Sequence, residues 1–301
     1  MNNITALLQC IFLGDYGLLT LTPRYLFLVL FPVMVLLGLL GQILPRIPFL
    51  RETSPLTSQF FYCFVGLGCT TCALASLDGL TDPKAKSRMA WILVLLVPCS
   101  AKLTILAAFA SMVSLKVFLV FLLFFASFSA LLYFLIGRLL PCSDAVTRPE
   151  SSAGSFSLAA IFRDAFQSAL DTALPFCAGS LLISLAVYLG LLDRLTEAFM
   201  PVMDSLFGLP PEAAQLLFLG ILKRDFGAAS LLTLGMGGSF DAAQLTVTVL
   251  MMTFSPPCFN SAVLLVKQQR LPGAAAIWLG SLLVSLFIGK ITAEIFFVCL
   301  L

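Results

Sequence analysis

Histidine is missing from this 301-residue chain. That excludes imidazole metal ligands, histidine proton shuttles, Ser-His-Asp and Cys-His nucleophile systems, and histidine-ligated haem. Charge is also scarce, at 11% of residues, where a soluble domain carries about 25%. The net charge of +2 offers no basic face to a polyanion, so nucleic acid is not an expected partner. No Gly-x-x-x-x-Gly-Lys-[Ser/Thr] phosphate loop occurs, and no catalytic base pair is evident. The chain therefore reads as no enzyme, with no permanently bound cofactor. Residues 1–14 lack the basic start and small-residue cleavage pattern of a removable leader, so its own helices are expected to insert it.

What is abundant is apolar. Hydrophobic residues make up 60% of the chain and its mean hydropathy is +1.07, so its solvent is a lipid bilayer. A span needs roughly 20 mostly apolar residues. Tyr25–Gln42, Gln59–Leu77, Arg88–Met112, Leu115–Leu140, Thr172–Leu192, Glu212–Leu234, Ala242–Lys267 and Gly273–Leu301 make about eight such segments. Leu115–Leu140, rich in Phe and Leu, reads as lipid-facing throughout, and Pro201–Pro211 as a turn-rich connector. Leu209-Pro210-Pro211-Glu212 resembles the start of a helix. The fold class is all-α, a polytopic membrane protein. If every segment crosses, seven basic residues fall on one side and six on the other, which leaves orientation open.

The chain repeats itself. Leu37-Gly38-Leu39-Leu40 recurs 152 residues later, from 37 to 189, as Leu189-Gly190-Leu191-Leu192. Phe64-Val65-Gly66-Leu67, with Ala75-Ser76-Leu77 after it, recurs 154 residues later, from 64 to 218, as Phe218-Leu219-Gly220-Ile221 with Ala229-Ser230-Leu231. Pro98-Cys99 and Pro257-Cys258 close the two halves. Landmarks in one order at nearly constant offset indicate duplication. The resulting organisation is an amphipathic segment over 1–21, a first repeat over 22–140, a polar linker over 141–157 with an amphipathic stretch near Leu158–Leu170 after it, and a second repeat over 158–301.

Duplicated halves with interrupted helices point to a transport site where the repeats meet. A broken helix frees backbone groups that lipid cannot satisfy, so breaks face protein or water. Four stand out. Gly66-Leu67-Gly68-Cys69-Thr70-Thr71-Cys72 combines small residues with two thiols three positions apart. Pro98-Cys99-Ser100-Ala101-Lys102 sets a thiol, a hydroxyl and an amine just past a proline. Lys223-Arg224-Asp225-Phe226-Gly227 places three charges in an apolar stretch, where each costs about 2.5–3.5 kcal/mol at the bilayer centre unless paired or hydrated. Ser255-Pro256-Pro257-Cys258-Phe259-Asn260 interrupts the seventh segment. Gly68, Thr70, Ser100, Lys102, Arg224, Asp225 and Asn260 are the candidate pathway residues. Asp225 is expected to be buried and paired, with Arg224, Lys223 or Lys102 as partner.

Cys69, Cys99 and Cys258 stand at breaks in matching parts of the halves and are the candidate metal ligands. The ordinary alternative for each is a small apolar filler. Cys69 and Cys72 form a CxxC, which can be redox-active or metal-binding; with no second CxxC and no histidine, structural zinc is disfavoured. Thiols suit transition metals rather than alkali or alkaline-earth ions. Lys290 and Glu294, four apart, are expected to form a local pair.

At these breaks the chain resembles the membrane, gate-domain half of the ferrous iron transport protein B family. The residues that carry the resemblance are Gly14-Asp15-Tyr16-Gly17-Leu18-Leu19-Thr20, Gly66-Leu67-Gly68-Cys69, Val97-Pro98-Cys99-Ser100-Ala101, Leu209-Pro210-Pro211-Glu212-Ala213-Ala214, Lys223-Arg224-Asp225-Phe226-Gly227-Ala228-Ala229 and Pro257-Cys258. They run in family order from Gly14 onward. The departures are the family's G domain and its first membrane helix, for which the chain shows no counterpart, an acidic pair replaced by Gly41 and Gln42, Thr70 where Asp or Asn is common, and Lys102 where Gln or Arg is usual. The resemblance implies a permease subunit for ferrous iron or a related divalent metal in a bacterial cytoplasmic membrane. Fe2+ would be its cargo, and a separately encoded G-domain protein and a small accessory protein its partners. Assembly of several copies fits the same reading. The alternatives are a gate-type permease for another solute, such as a nucleoside, and a membrane partner that transports nothing.

Overall fold

The structure is a computed structural model. It describes residues 55–80, 82–141, 189–222, 224–237 and 240–300, with Val35, Leu39, Phe162, Arg163, Phe166, Gln167, Leu181 and Leu185 as isolated positions. Those positions apart, the segment over 1–21, the Tyr25–Gln42 span, the linker beyond Pro141, and the stretch over 158–188 lie outside the described residues. The chain divides into two compact units, Met1–Phe61 with Ala145–Leu191, and Tyr62–Asp144 with Leu192–Leu301. Almost all described residues belong to the second unit, which draws on both sequence halves.

The described helices are α1 (Pro55–Gly68), α2 (Thr70–Ser76), α3 (Pro83–Leu95), α4 (Ser100–Met112), α5 (Leu115–Leu139), α6 (Leu191–Phe207), α7 (Glu212–Leu222), α8 (Arg224–Met236), α9 (Ala242–Phe254) and α10 (Phe259–Leu300). A single-turn 3-10 helix, Leu77–Gly79, follows α2. Among the described residues there is no strand. The protein is an all-helical chain built for a membrane: Leu115–Leu139, Ser261–Phe296 and the broken run Pro83–Met112 are each long and apolar enough to cross one.

Several segments expected as single spans are helix pairs. Gln59–Leu77 divides at Cys69, whose φ of −150° and ψ of 114° are extended, directly after Gly68. Arg88–Met112 divides over 96–99 because Pro98 has no N–H and holds Val97 out of the helical region. Glu212–Leu234 divides between Leu222 and Arg224. Ala242–Lys267 divides over 255–258, at Pro256 and Pro257. A 13-residue helix such as α3, α4, α8 or α9 is about 20 Å long, well short of the roughly 30 Å hydrocarbon core.

Local chemistry sets the helix starts. Asp82 accepts hydrogen bonds from the Lys84 and Ala85 amides, and Pro83 fills the first helical position of α3. At α9 the Asp241 amide donates to Gln244 Oε1, whose own Nε2 donates to the Gly208 carbonyl. The helix expected after Leu209-Pro210-Pro211 begins at Glu212.

Two expectations are corrected. The connector over Pro201–Pro211 is mostly helix, since α6 runs through Pro201 to Phe207 and only 208–211 are non-helical. Met203, Phe207 and Leu209 are buried there, and that packing holds the helix despite the proline. Leu115–Leu140 is not lipid-facing throughout. Leu115, Leu123, Phe134 and Leu139 are exposed, but Phe121, Leu132 and Ile136 are buried, with Phe121 on Phe109 and Phe125 on Phe254. The connector between Lys267 and Gly273 is a kink within α10 at Arg270, which takes φ 60° and ψ 165° two residues before Pro272. Lys290 Nζ and Glu294 Oε1 meet at 3.2 Å as the spacing implies.

The halves recur element by element: α1, α2, α3, α4 and α5 are followed in the same order by α7, α8, α9 and the two limbs of α10. Packing follows the same exchange. α4 lies on α8 as α2 lies on α10; α5 lies on α9 as α3 lies on α10; α3 meets α9. Even single contacts recur. A Cβ built at Gly66 would stand 3.1 Å from Leu93, and one at Gly220 would stand 3.1 Å from Met252, the positions equivalent in the repeat. α9 is the central element, buried along its length from Leu245 to Phe254.

Candidate functional site

Three of the four breaks place cysteine immediately before a helix. Cys69 precedes α2, Cys99 precedes α4 and Cys258 precedes α10. Neither Cys69 nor Cys99 makes a side-chain cap, so their thiols are free for other partners. Two junctions result, equivalent under the repeat but chemically different.

At the first junction, α2 meets the start of α10. Thr71 Oγ1 and Ser261 Oγ are 2.9 Å apart, and Cys258 Sγ is 3.3 Å from Ser261 Oγ. Gln268 Nε2, two turns on, donates to the Leu74 carbonyl at 2.6 Å and ties α10 to α2. Cys69 and Cys72 are within hydrogen-bond reach of one another. This junction is built of hydroxyls and thiols. Thr70 is buried beside it and Gly68 half-buried.

At the second junction, α8 meets the start of α4. Arg224, 7% exposed, spans it: Nη2 donates to the Pro256 carbonyl at 2.7 Å and the Ser255 carbonyl at 3.4 Å, while Nη1 lies 3.9 Å from Cys99 Sγ. Lys102, 1% exposed, donates to the Val94 carbonyl at 3.2 Å. Those carbonyls are freed by the breaks before Pro98 and Pro256, so the two basic side chains close gaps in the backbone ladder. Arg224 Nε has no partner. Ser100 is half-buried, its carbonyl accepting from Thr104 Oγ1.

The two junctions are neighbours. Cys99 interacts electrostatically with Arg224, Lys102 and Cys69, and Lys102 with Arg224, Cys99 and Cys258. The structure thus brings Cys69, Cys99, Cys258, Lys102 and Arg224 into one region. Among the described residues, however, no group of three or more Cys, Asp or Glu side chains is gathered closely enough to hold a metal ion. The three thiols turn to different partners, Cys69 to Cys72, Cys99 to Arg224 and Cys258 to Ser261. Among the described residues, Arg224 and Lys102 bond to backbone carbonyls and to no carboxylate. The side chains of Asp225, Asn260 and Lys223 lie outside the described residues.

Sequence reading passed over Ser261 and Thr71. The signal for Ser261 is its place in the repeat, three residues after Cys258 as Lys102 is three after Cys99.

No curated protein and no solved structure matches the chain. Residues 169–269 match a family model described as Gate: Nucleoside recognition. That stretch takes in α6 to α9 and the first limb of α10, and with them Arg224 and Cys258. Over this third of its length the chain is similar to a domain of permease-type membrane transporters, here in an integral membrane setting.

Proposed function

We propose that the chain is a permease subunit for ferrous iron or a related divalent transition metal, working with a separately encoded GTPase and a small accessory protein in a bacterial cytoplasmic membrane. The observation that carries transport is the pairing of the breaks. Both halves interrupt their helices at equivalent places, and the interruptions lie together inside one compact unit. Such breaks put unsatisfied backbone beside a path through the protein, and duplicated halves can rock about it. The metal reading rests on sulfur. With histidine absent, the thiols of Cys69, Cys99 and Cys258 are the soft ligands a transition metal would meet in passing.

A second reading, a gate-type permease for another solute such as a nucleoside, is favoured by the donors of Arg224 and Lys102. They would engage an electron-rich solute directly. A partner that transports nothing is the third.

The test is uptake by cells deficient in iron import that express the chain with and without candidate GTPases. Radioactive Fe2+ kept reduced and radioactive uridine are offered in parallel. Accumulation of iron supports the metal reading, accumulation of uridine supports the second, and accumulation of neither leaves the third.

A further inference from the structure

The second junction buries two basic side chains, Arg224 and Lys102. A guanidinium buried in low dielectric is costly unless its donors and charge are compensated. The described partners of Arg224 are two carbonyls and the Cys99 sulfur, and its Nε has none. Lys102, buried to 1% exposure and in electrostatic contact with Arg224, has one carbonyl for its three donor positions. Asp78 pairs with Lys86 and Glu294 with Lys290, and among the described residues no carboxylate pairs with Arg224 or Lys102. Two buried donor-rich side chains with spare hydrogens and no carboxylate partner among the described residues form an electrostatically incomplete site.

We propose that Lys102 and Arg224 form a binding site for a small anion or an anionic group, seated at the junction of α4 and α8 beside Cys99. This deepens the permease reading and rests on it for its role in transport. A bare dication is repelled at this point and a negative group is attracted, so the species that crosses includes negative charge. It is carried by the solute itself or by a counter-anion accompanying a metal ion.

The experiment uses the purified full chain in detergent, titrated calorimetrically with sodium phosphate and sodium chloride against sodium gluconate of equal ionic strength. Saturable binding of phosphate or chloride at one site is expected. It should weaken at least tenfold in Lys102→Gln and in Arg224→Gln, recover in part in Arg224→Lys, and persist in Lys290→Gln. If Arg224→Gln does not elute as a folded species, Lys102→Gln and Arg224→Lys decide. Absence of saturable binding in the wild type, or equal binding in Lys102→Gln, overturns the site. Binding that emerges only in Asp225→Asn also overturns it, because the Asp225 carboxylate would then be the resident counter-charge. In reconstituted vesicles, iron uptake that requires chloride or phosphate assigns the site to a counter-anion. Iron uptake indifferent to both overturns the counter-anion role, and uptake of a phosphorylated solute such as uridine monophosphate, without uptake of iron, assigns the site to an anionic group on the solute. Binding without uptake of any tested solute removes the permease reading and leaves the site standing; uptake without binding removes the site alone.

Discussion

Arg224 holds together the break that creates its own surroundings. Its Nη2 covers the carbonyls of Ser255 and Pro256, which the two prolines and the helix end leave without helical donors. Replacing it by Met, similar in length but unable to donate, strands those acceptors. A loss of about 1–3 kcal/mol is expected, read as a lowered thermal midpoint in detergent. The thiols make a different case. Serine approximates cysteine in size and can still accept from Arg224 or meet Ser261, so Cys99→Ser and Cys258→Ser should keep the wild-type midpoint. Metal uptake should nevertheless fall several-fold, because a hydroxyl is a poor ligand for a borderline metal. Cys142→Ser, in the linker region, should leave uptake unchanged. Wild-type uptake in the Cys69/Cys99/Cys258 triple serine variant would show that the path is lined by carbonyls and hydroxyls instead.

Among the elements, α7 and α8 approach one another more closely than side chains permit. A Cβ at Gly227 would lie 2.8 Å from the Gly220 Cα, backbone that has no rotamer by which to yield. Gly227→Ala should therefore cost about 1–3 kcal/mol. Gly66→Ala should cost less, since its Cβ meets the side chains of Val97 and Leu93. The kink of α10 stores strain of the opposite sign of usefulness. Arg270, at φ 60° and ψ 165°, occupies a region that glycine alone tolerates easily. Arg270→Gly should accordingly raise stability by about 1 kcal/mol, and a lowered midpoint would show that the arginine side chain earns its place by a contact. Such differences are measurable by thermal unfolding of each variant in the same detergent.

At the scale of the whole molecule, the repeat explains why one compact unit takes helices from both ends of the sequence. Each half leaves an apolar face uncovered, and the equivalent helix of the other half covers it: α8 on α4, α2 on α10. Neither half is expected to be stable when expressed alone. The glycine-rich run Gly235-Met236-Gly237-Gly238-Ser239 is followed by Phe240-Asp241 without the lysine a phosphate cradle needs. The purified chain should bind no GTP in an equilibrium filter assay; stoichiometric binding would refute the proposal that a separate GTPase drives transport.

Residue types alone determined the membrane setting, the all-helical fold and the places where helices stop. Hydropathy, Pro98, Pro256, Pro257 and Gly68 act on their immediate neighbours, and local effects are legible along a chain. The recurrence of the breaks in one order was legible for the same reason, since each is marked by its own proline, glycine or charge. The passage of α6 through Pro201 was not, because buried Met203 and Phe207 outweigh a local preference for a turn. Nor were the partners of the charges. Nothing in the local sequence indicates that Arg224 reaches the carbonyls of Ser255 and Pro256 or that Lys102 reaches Val94, and the side chain of Asp225, expected to pair with one of these bases, lies outside the described residues. Only packing sets α8 against α4 and the break before Cys258, and a long side chain bonds to whatever acceptor that packing leaves open within its reach.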